Sequence, residues 1–120
     1  MLNSRQVMEL AIKALDSKKA RNIKVLRTSA LTILADYFII CTATSTPHIR
    51  TLSDEASKIL TEAGEPVPRI EGYRGGGWVL MDFGSVIIHL FLNDIRKFYD
   101  IEGLWSDAAE VDIASLLTQD

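Results

Sequence analysis

Two apolar runs dominate the second half of this 120-residue sequence and limit the folds open to it. They are Trp78-Val79-Leu80-Met81-Asp82 and Val86-Ile87-Ile88-His89-Leu90-Phe91-Leu92, separated by Phe83-Gly84-Ser85. Strand-forming runs around a short glycine-containing turn make a β-hairpin. Both are apolar on both faces, the pattern of a central position in a sheet covered on each side.

The flanking sequence supplies that cover. Asn3 to about Ala20 reads as an amphipathic helix, with Val7, Leu10, Ala11, Ala14 and Leu15 at helical spacing. Asn3 and Gln6 resemble a capping box at its start. Ile23–Arg27 and, more strongly, Asp36–Thr42 read as strands. A second helix is expected with Thr46 as N-cap, Pro47 at the first helical position and an apolar stripe of Ile49, Leu52, Ala56, Ile59 and Ala63. Gly64 ends it. Val67–Glu71 suits a short edge strand, and Asn93–Tyr99 a short helix capped by Asn93. Val111–Leu117 is expected to add an amphipathic turn, within a flexible tail over 110–120. The resulting order is α-β-β-α-β-β-β-α. It describes one α/β domain over 1–120, a mixed sheet of about five strands flanked by helices.

Composition removes several alternatives. No apolar run approaches the ~18 residues of a membrane span, so a soluble protein is expected. The single cysteine, Cys41, follows Phe38-Ile39-Ile40 and reads as a small buried hydrophobe, not as part of a disulfide or zinc ribbon. The basic N-terminal helix invites comparison with a transit peptide, but Glu9 and Asp16 weaken it. Without a signal-peptide core, a cytoplasmic location is expected. Charge is unevenly spread. Residues 1–27 carry seven basic and two acidic side chains, whereas residues 94–120 carry two basic and seven acidic. A pI near 5.3 argues against bare nucleic acid as the main partner and suits a basic protein better.

Catalytic constellations are missing. Neither histidine has a partner at metal-ligand spacing, so no metal or cofactor is expected. His89 lies inside a strand and reads as a hydrogen-bonded buried or half-buried side chain; His48 belongs to the surface of a helix start. The loop Gly72-Tyr73-Arg74-Gly75-Gly76-Gly77 lacks the lysine and hydroxyl of a phosphate loop and precedes a strand instead of a helix. Thr42–Thr46, leading into a helix N-terminus, is a better anion candidate. A nucleotide-dependent transferase using Thr44, Ser45 and Asp82 would need paired carboxylates, and the chain has no DxD pair. The aromatics are more informative: Trp78, Phe91, Phe98, Tyr99 and Trp105 are interleaved with charged residues, a composition shared by protein interfaces and cores. Trp105, in the loop-like Gly103–Asp107, is the one expected to protrude.

Three segments together carry a resemblance. Asp36-Tyr37-Phe38-Ile39-Ile40-Cys41-Thr42, Trp78-Val79-Leu80-Met81-Asp82-Phe83-Gly84, and His89-Leu90-Phe91 with Arg96, Tyr99, Glu102 and Leu104-Trp105 match the ribosomal silencing factor (Iojap-like) family in order and spacing, over about residues 4–109. Ile101 and Ala43 depart from the family's usual leucine and glycine. The resemblance implies a nucleotidyltransferase-like fold without the catalytic carboxylates. It also implies a non-enzymatic translational repressor, which binds the large ribosomal subunit through its subunit-interface protein uL14 and blocks joining of the small subunit. Large-subunit assembly is the alternative, and a homodimer is expected for the free protein. The contact residues it implies are Trp78, Asp82, His89, Arg96, Tyr99, Leu104 and Trp105.

Overall fold

A computed structural model describes residues 2–117 and places every predicted strand in one mixed sheet. The chain runs α1 (Ser4–Ser17), β1 (Arg21–Arg27), β2 (Tyr37–Ala43), α2 (Thr46–Glu62), β3 (Arg69–Glu71), β4 (Trp78–Asp82), β5 (Val86–Leu92), α3 (Asn93–Tyr99), α4 (Ile101–Leu104) and β6 (Ala109–Glu110), then a 3-10 turn at Ala114–Leu116. The strand order is β3-β4-β5-β2-β1-β6. β2 and β5 pair in parallel through the crossover that contains α2, and the other pairings are antiparallel.

The sheet has six strands, not about five. The extra strand is two residues long and hangs on the free edge of β1 through Leu26↔Glu110 and Arg27↔Ala109, a long-range pairing that its acidic local sequence does not announce. Beyond it, Val111 donates its N–H to the Val25 carbonyl and Ile113 is buried, so residues 110–117 pack onto the domain. Thr118–Asp120, the remainder of the expected tail, lie outside the described residues.

Local signals set the helix starts. In α1 the Asn3 side chain accepts from the Gln6 N–H while the Gln6 side chain accepts from Asn3, which satisfies two backbone donors of the first turn. In α2 the cap is Ser45, whose hydroxyl accepts from the His48 N–H, and Thr46 is already helical. Either hydroxyl side chain suits a cap, and proline is tolerated throughout the first turn, so the sequence leaves a one-residue ambiguity. α3 starts at Asn93 without a side-chain cap, Asn93 itself being helical.

Two clusters of buried side chains divide along the two faces of the sheet. On one, α1 and α2 lay Val7, Met8, Ile12, Leu15, Ile49, Leu52, Ala56 and Leu60 over Val25, Ile39, Cys41, Met81, Ile88 and Leu90. On the other lie Leu26, Phe38, Ile40 and Phe91, with Trp78, Ile87, Ile95, Ile101 and Trp105 packed against them. Among the described residues the second face is covered by the short α3 and α4 and by Trp105 and Ala108 just beyond them, and neither helix contains a fully buried residue.

Candidate protein-binding face

Strand alternation places the site. Trp78, Leu80 and Asp82 of β4 face the thinly covered side, opposite Phe91, His89 and Ile87 of β5 in register. Phe38 of β2 joins them from the next strand but one along the sheet. The outcome is a chain of rings. Trp78 stacks on Phe91 at 5.1 Å and meets Tyr99 at 4.7 Å. His89 lies 6.0 Å from Phe91 and 5.3 Å from Phe38, and Phe38 meets Trp105 edge-on at 4.9 Å. Such offset and edge-on contacts exploit the ring quadrupoles.

His89 is the polar centre of this chain. The Trp78 indole N–H donates to its Nδ1 at 3.2 Å, which assigns the imidazole proton to Nε2. Nε2 is buried and has no partner among the described residues. Burial pushes the His89 pKa down to about 4, so the ring is neutral at pH 7. The sequence left it between core and contact; the structure buries it beneath Trp78.

The remaining expected residues separate by position. Tyr99 is half-exposed at 46%, and Leu104 lies open at 75%. Trp105 does not protrude as its loop-like neighbourhood suggested: it is half-buried on Phe38, a contact supplied by a distant strand. Asp82 sits at the far end of β4, where its carboxylate accepts from the Gly84 N–H at 2.8 Å and holds the hairpin turn. Arg96 is a clamp. Its guanidinium donates to both Glu102 oxygens, to Thr42 Oγ1 and to the Asn22 carbonyl, and its side chain is only 11% exposed. The hydrogen bonds from Arg96 hold the Glu102 carboxyl below its usual range. Arg96 thereby ties α3 and α4 to β1 and β2 and fixes where Tyr99 and Leu104 stand.

Phe98 was absent from the expected set yet is 79% exposed beside Tyr99, with the two rings 5.0 Å apart. A signal was available, since Phe98 lies in a seven-residue helix too short to bury two faces. The β1–β2 connection also exposes Leu31, Ile33 and Leu34, a run apolar beyond the needs of a turn.

Thr44, Ser45 and Asp82 are not brought together. Thr44 and Ser45 follow the C-terminal end of β2, whereas Asp82 pairs with Ile87 near the start of β5, and β5 runs parallel to β2. Asp82 thus lies at the opposite end of the sheet from Thr44 and Ser45. Among the described residues no cluster of three acidic, histidine or cysteine side chains suits a metal ion. The glycine-rich loop is built for a tight connection: at Gly72, with φ +82°, a Cβ would collide with the Trp78 carbonyl. Tyr73 fastens this loop to α2 by donating its hydroxyl hydrogen to Asp54 at 2.9 Å.

These features define a class: a small α/β domain with one face sealed by helices and the other carrying a partly open aromatic patch. The chain belongs to the family described as "Ribosomal silencing factor during starvation", which it matches over residues 1–120. It is 33% identical to a ribosomal silencing factor of Halalkalibacterium halodurans across 98% of this chain and 100% of that one. It is 32% identical over 102 residues to "Mitochondrial assembly of ribosomal large subunit protein 1" of Mus musculus, spanning 82% of this chain and 45% of the mouse protein. A crystal structure from Chromobacterium violaceum superposes with TM-score 0.85 at 37% identity, covering 88% of each chain.

Proposed function

We propose that this protein represses translation without chemistry, by docking its aromatic face on the large ribosomal subunit and excluding the small one. Membership of the family supports a role in ribosomal silencing or large-subunit assembly. The observation that carries the finer reading is the Trp78–His89–Phe91–Tyr99 cluster, flanked by the exposed Phe98 and Leu104. Clustered aromatics at a partly open face are the usual anchors of a protein interface.

The docking partner in this reading is the basic subunit-interface protein uL14, in the cytoplasm. The acidic C-terminal segment, with seven acidic and two basic side chains over 94–120, favours such a partner electrostatically. In the free protein the same apolar face would be covered by a second copy. Repression then follows from occupancy, and depends on the concentration of the factor relative to its Kd. The mouse relative's name favours a second reading, an assembly factor acting on the maturing large subunit.

Sucrose-gradient sedimentation of purified subunits separates the two. Co-migration with the large subunit and loss of joined ribosomes, both reduced by Trp78→Ala, is the result expected for silencing. Binding that leaves joining intact would favour assembly, and absence of binding would end both readings. Leu104→Ser serves as a second variant, because this exposed side chain can change without disturbing the core.

A further inference from the structure

The end of the sheet beyond β2 and β5 differs chemically from the aromatic face. A cavity of about 530 Å³ opens there, lined by Arg21, Asn22, Thr42, Thr44, Asn93 and Asp94, with Ala43 and Leu92 as its apolar members. The connection from α1 to β1 passes beside it: His48 Nε2, in the first turn of α2, hydrogen-bonds the Lys18 carbonyl at 2.7 Å. That bond fixes Lys18, Lys19 and Arg21 next to the start of α2, all three exposed. None of the three is in an ion pair with another described residue. Lys97 edges an adjoining cavity that shares Asn22, Thr42 and Asn93.

The local carboxylates do not cancel this charge. Glu102 is engaged by Arg96 and Lys24, and Asp100 accepts from the Gly103 N–H. Asp16, two residues before Lys18, has an interaction of its own. Against three basic side chains, Asp94 is the carboxylate that lines the cavity. The 17-residue α2 carries no acidic residue in its first turn, so its positive dipole end adds to the basic side chains. None of the exposed large hydrophobic side chains lines this cavity. A protein interface would want such anchors, whereas contacts to nucleic acid are polar and positively charged.

We propose that Lys18, Lys19 and Arg21, with Thr44 and Asn22 at the cavity mouth, form a second contact that takes the phosphodiester backbone of RNA. The proposal rests on the reading that the protein works on the ribosome, and there it adds ribosomal RNA to a protein contact made by the aromatic face. The net acidic chain is no obstacle, because Lys18, Lys19 and Arg21 lie together at this end and Lys97 edges the adjoining cavity.

The test is equilibrium binding of the full chain to purified large subunits across a range of salt. The triple variant K18Q/K19Q/R21Q keeps the Lys18 carbonyl that His48 uses, and a thermal melt checks its fold. Removing three phosphate contacts is expected to weaken binding at least ~10-fold at low salt and to flatten the plot of log affinity against log salt by about 2 to 3. Unchanged affinity and slope would overturn the RNA contact while leaving the silencing reading intact. If wild type ignored the subunits but bound naked duplex RNA with a slope that the variant lacked, the phosphate contact would stand and the ribosomal reading would fall. Binding to neither would overturn both. A benzoylphenylalanine at position 21 resolves the partner: an adduct removed by ribonuclease supports RNA, and one that survives it overturns the proposal in favour of a protein.

Discussion

The two faces of the sheet share strands and even neighbouring residues, yet they are built from different chemistry. Ile88 and Leu90 of β5 point into a mainly aliphatic layer closed by two long amphipathic helices, while the alternate residues His89 and Phe91 point into rings covered by short ones. Aliphatic side chains interdigitate and are sealed from water. Rings with polar handles tolerate an edge left open to a partner. The first face therefore carries stability and the second, in the function proposed above, carries recognition.

The largest effect should come from the sealed face. Leu52 is fully buried in α2, and Leu52→Ala is expected to cost about 3 kcal/mol of unfolding free energy, read by urea denaturation. The folded fraction should keep wild-type affinity for large subunits. Loss of affinity in proportion to truncation on this face would erase the division between the two.

Nearly as large is a pH effect specific to the aromatic face. His89 titrates near 4 when folded and near 6.5 when unfolded, so the unfolded chain binds the extra proton between those values. Stability from this group is complete above pH ~6.5 and is lost as pH falls toward ~4, by about 3 kcal/mol. Glu102, held low by Arg96, also loses its contribution as pH falls, below the ordinary carboxyl range. It does so in wild type and in His89→Gln alike, so the difference between their stability–pH curves isolates the histidine. Equal slopes for both proteins between pH 6.5 and 4 would place His89 in water.

How much of this was legible depends on the range of the interaction. The hairpin and both long helices are written in consecutive residues: strand bounds at Trp78–Asp82 and Val86–Leu92 coincide with the apolar runs, and Asn3–Gln6 caps α1 as read. β6 was not legible, because its two residues become a strand only by meeting the edge of β1. The site was half legible. Trp78, His89 and Tyr99 do come together, but Arg96, expected as a contact residue, is an internal clamp, and nothing near it in sequence names Thr42 and Asn22 as its acceptors. Trp105 misled for the same reason, since Phe38 is remote in sequence.

Within the recognition face, Trp78→Ala should weaken binding to the large subunit by about 2 kcal/mol, the scale of an interface hot spot, as measured by titration of labelled protein. It removes the ring that stacks on Phe91 and touches Tyr99, and also the donor to His89. Circular dichroism should still report a folded sheet, because the helix-covered cluster is untouched. A variant that unfolds would make Trp78 part of the stability layer and blur the contrast.

The smallest effect sharpens the contrast most. Leu104 is 75% exposed on α4, in a segment held by Arg96 and by the Asp100 carboxylate on the Gly103 N–H. Leu104→Ser buries nothing and opens no cavity, so its cost in stability should stay within about 0.5 kcal/mol. An apolar side chain held open beside Trp105 gains its value only when a partner covers it, and the same change should weaken subunit binding by about 1 kcal/mol. Thermal melting and subunit titration on one preparation read both numbers. Wild-type affinity in that variant would confine recognition to the Trp78–Tyr99 side of the face and leave α4 as a brace.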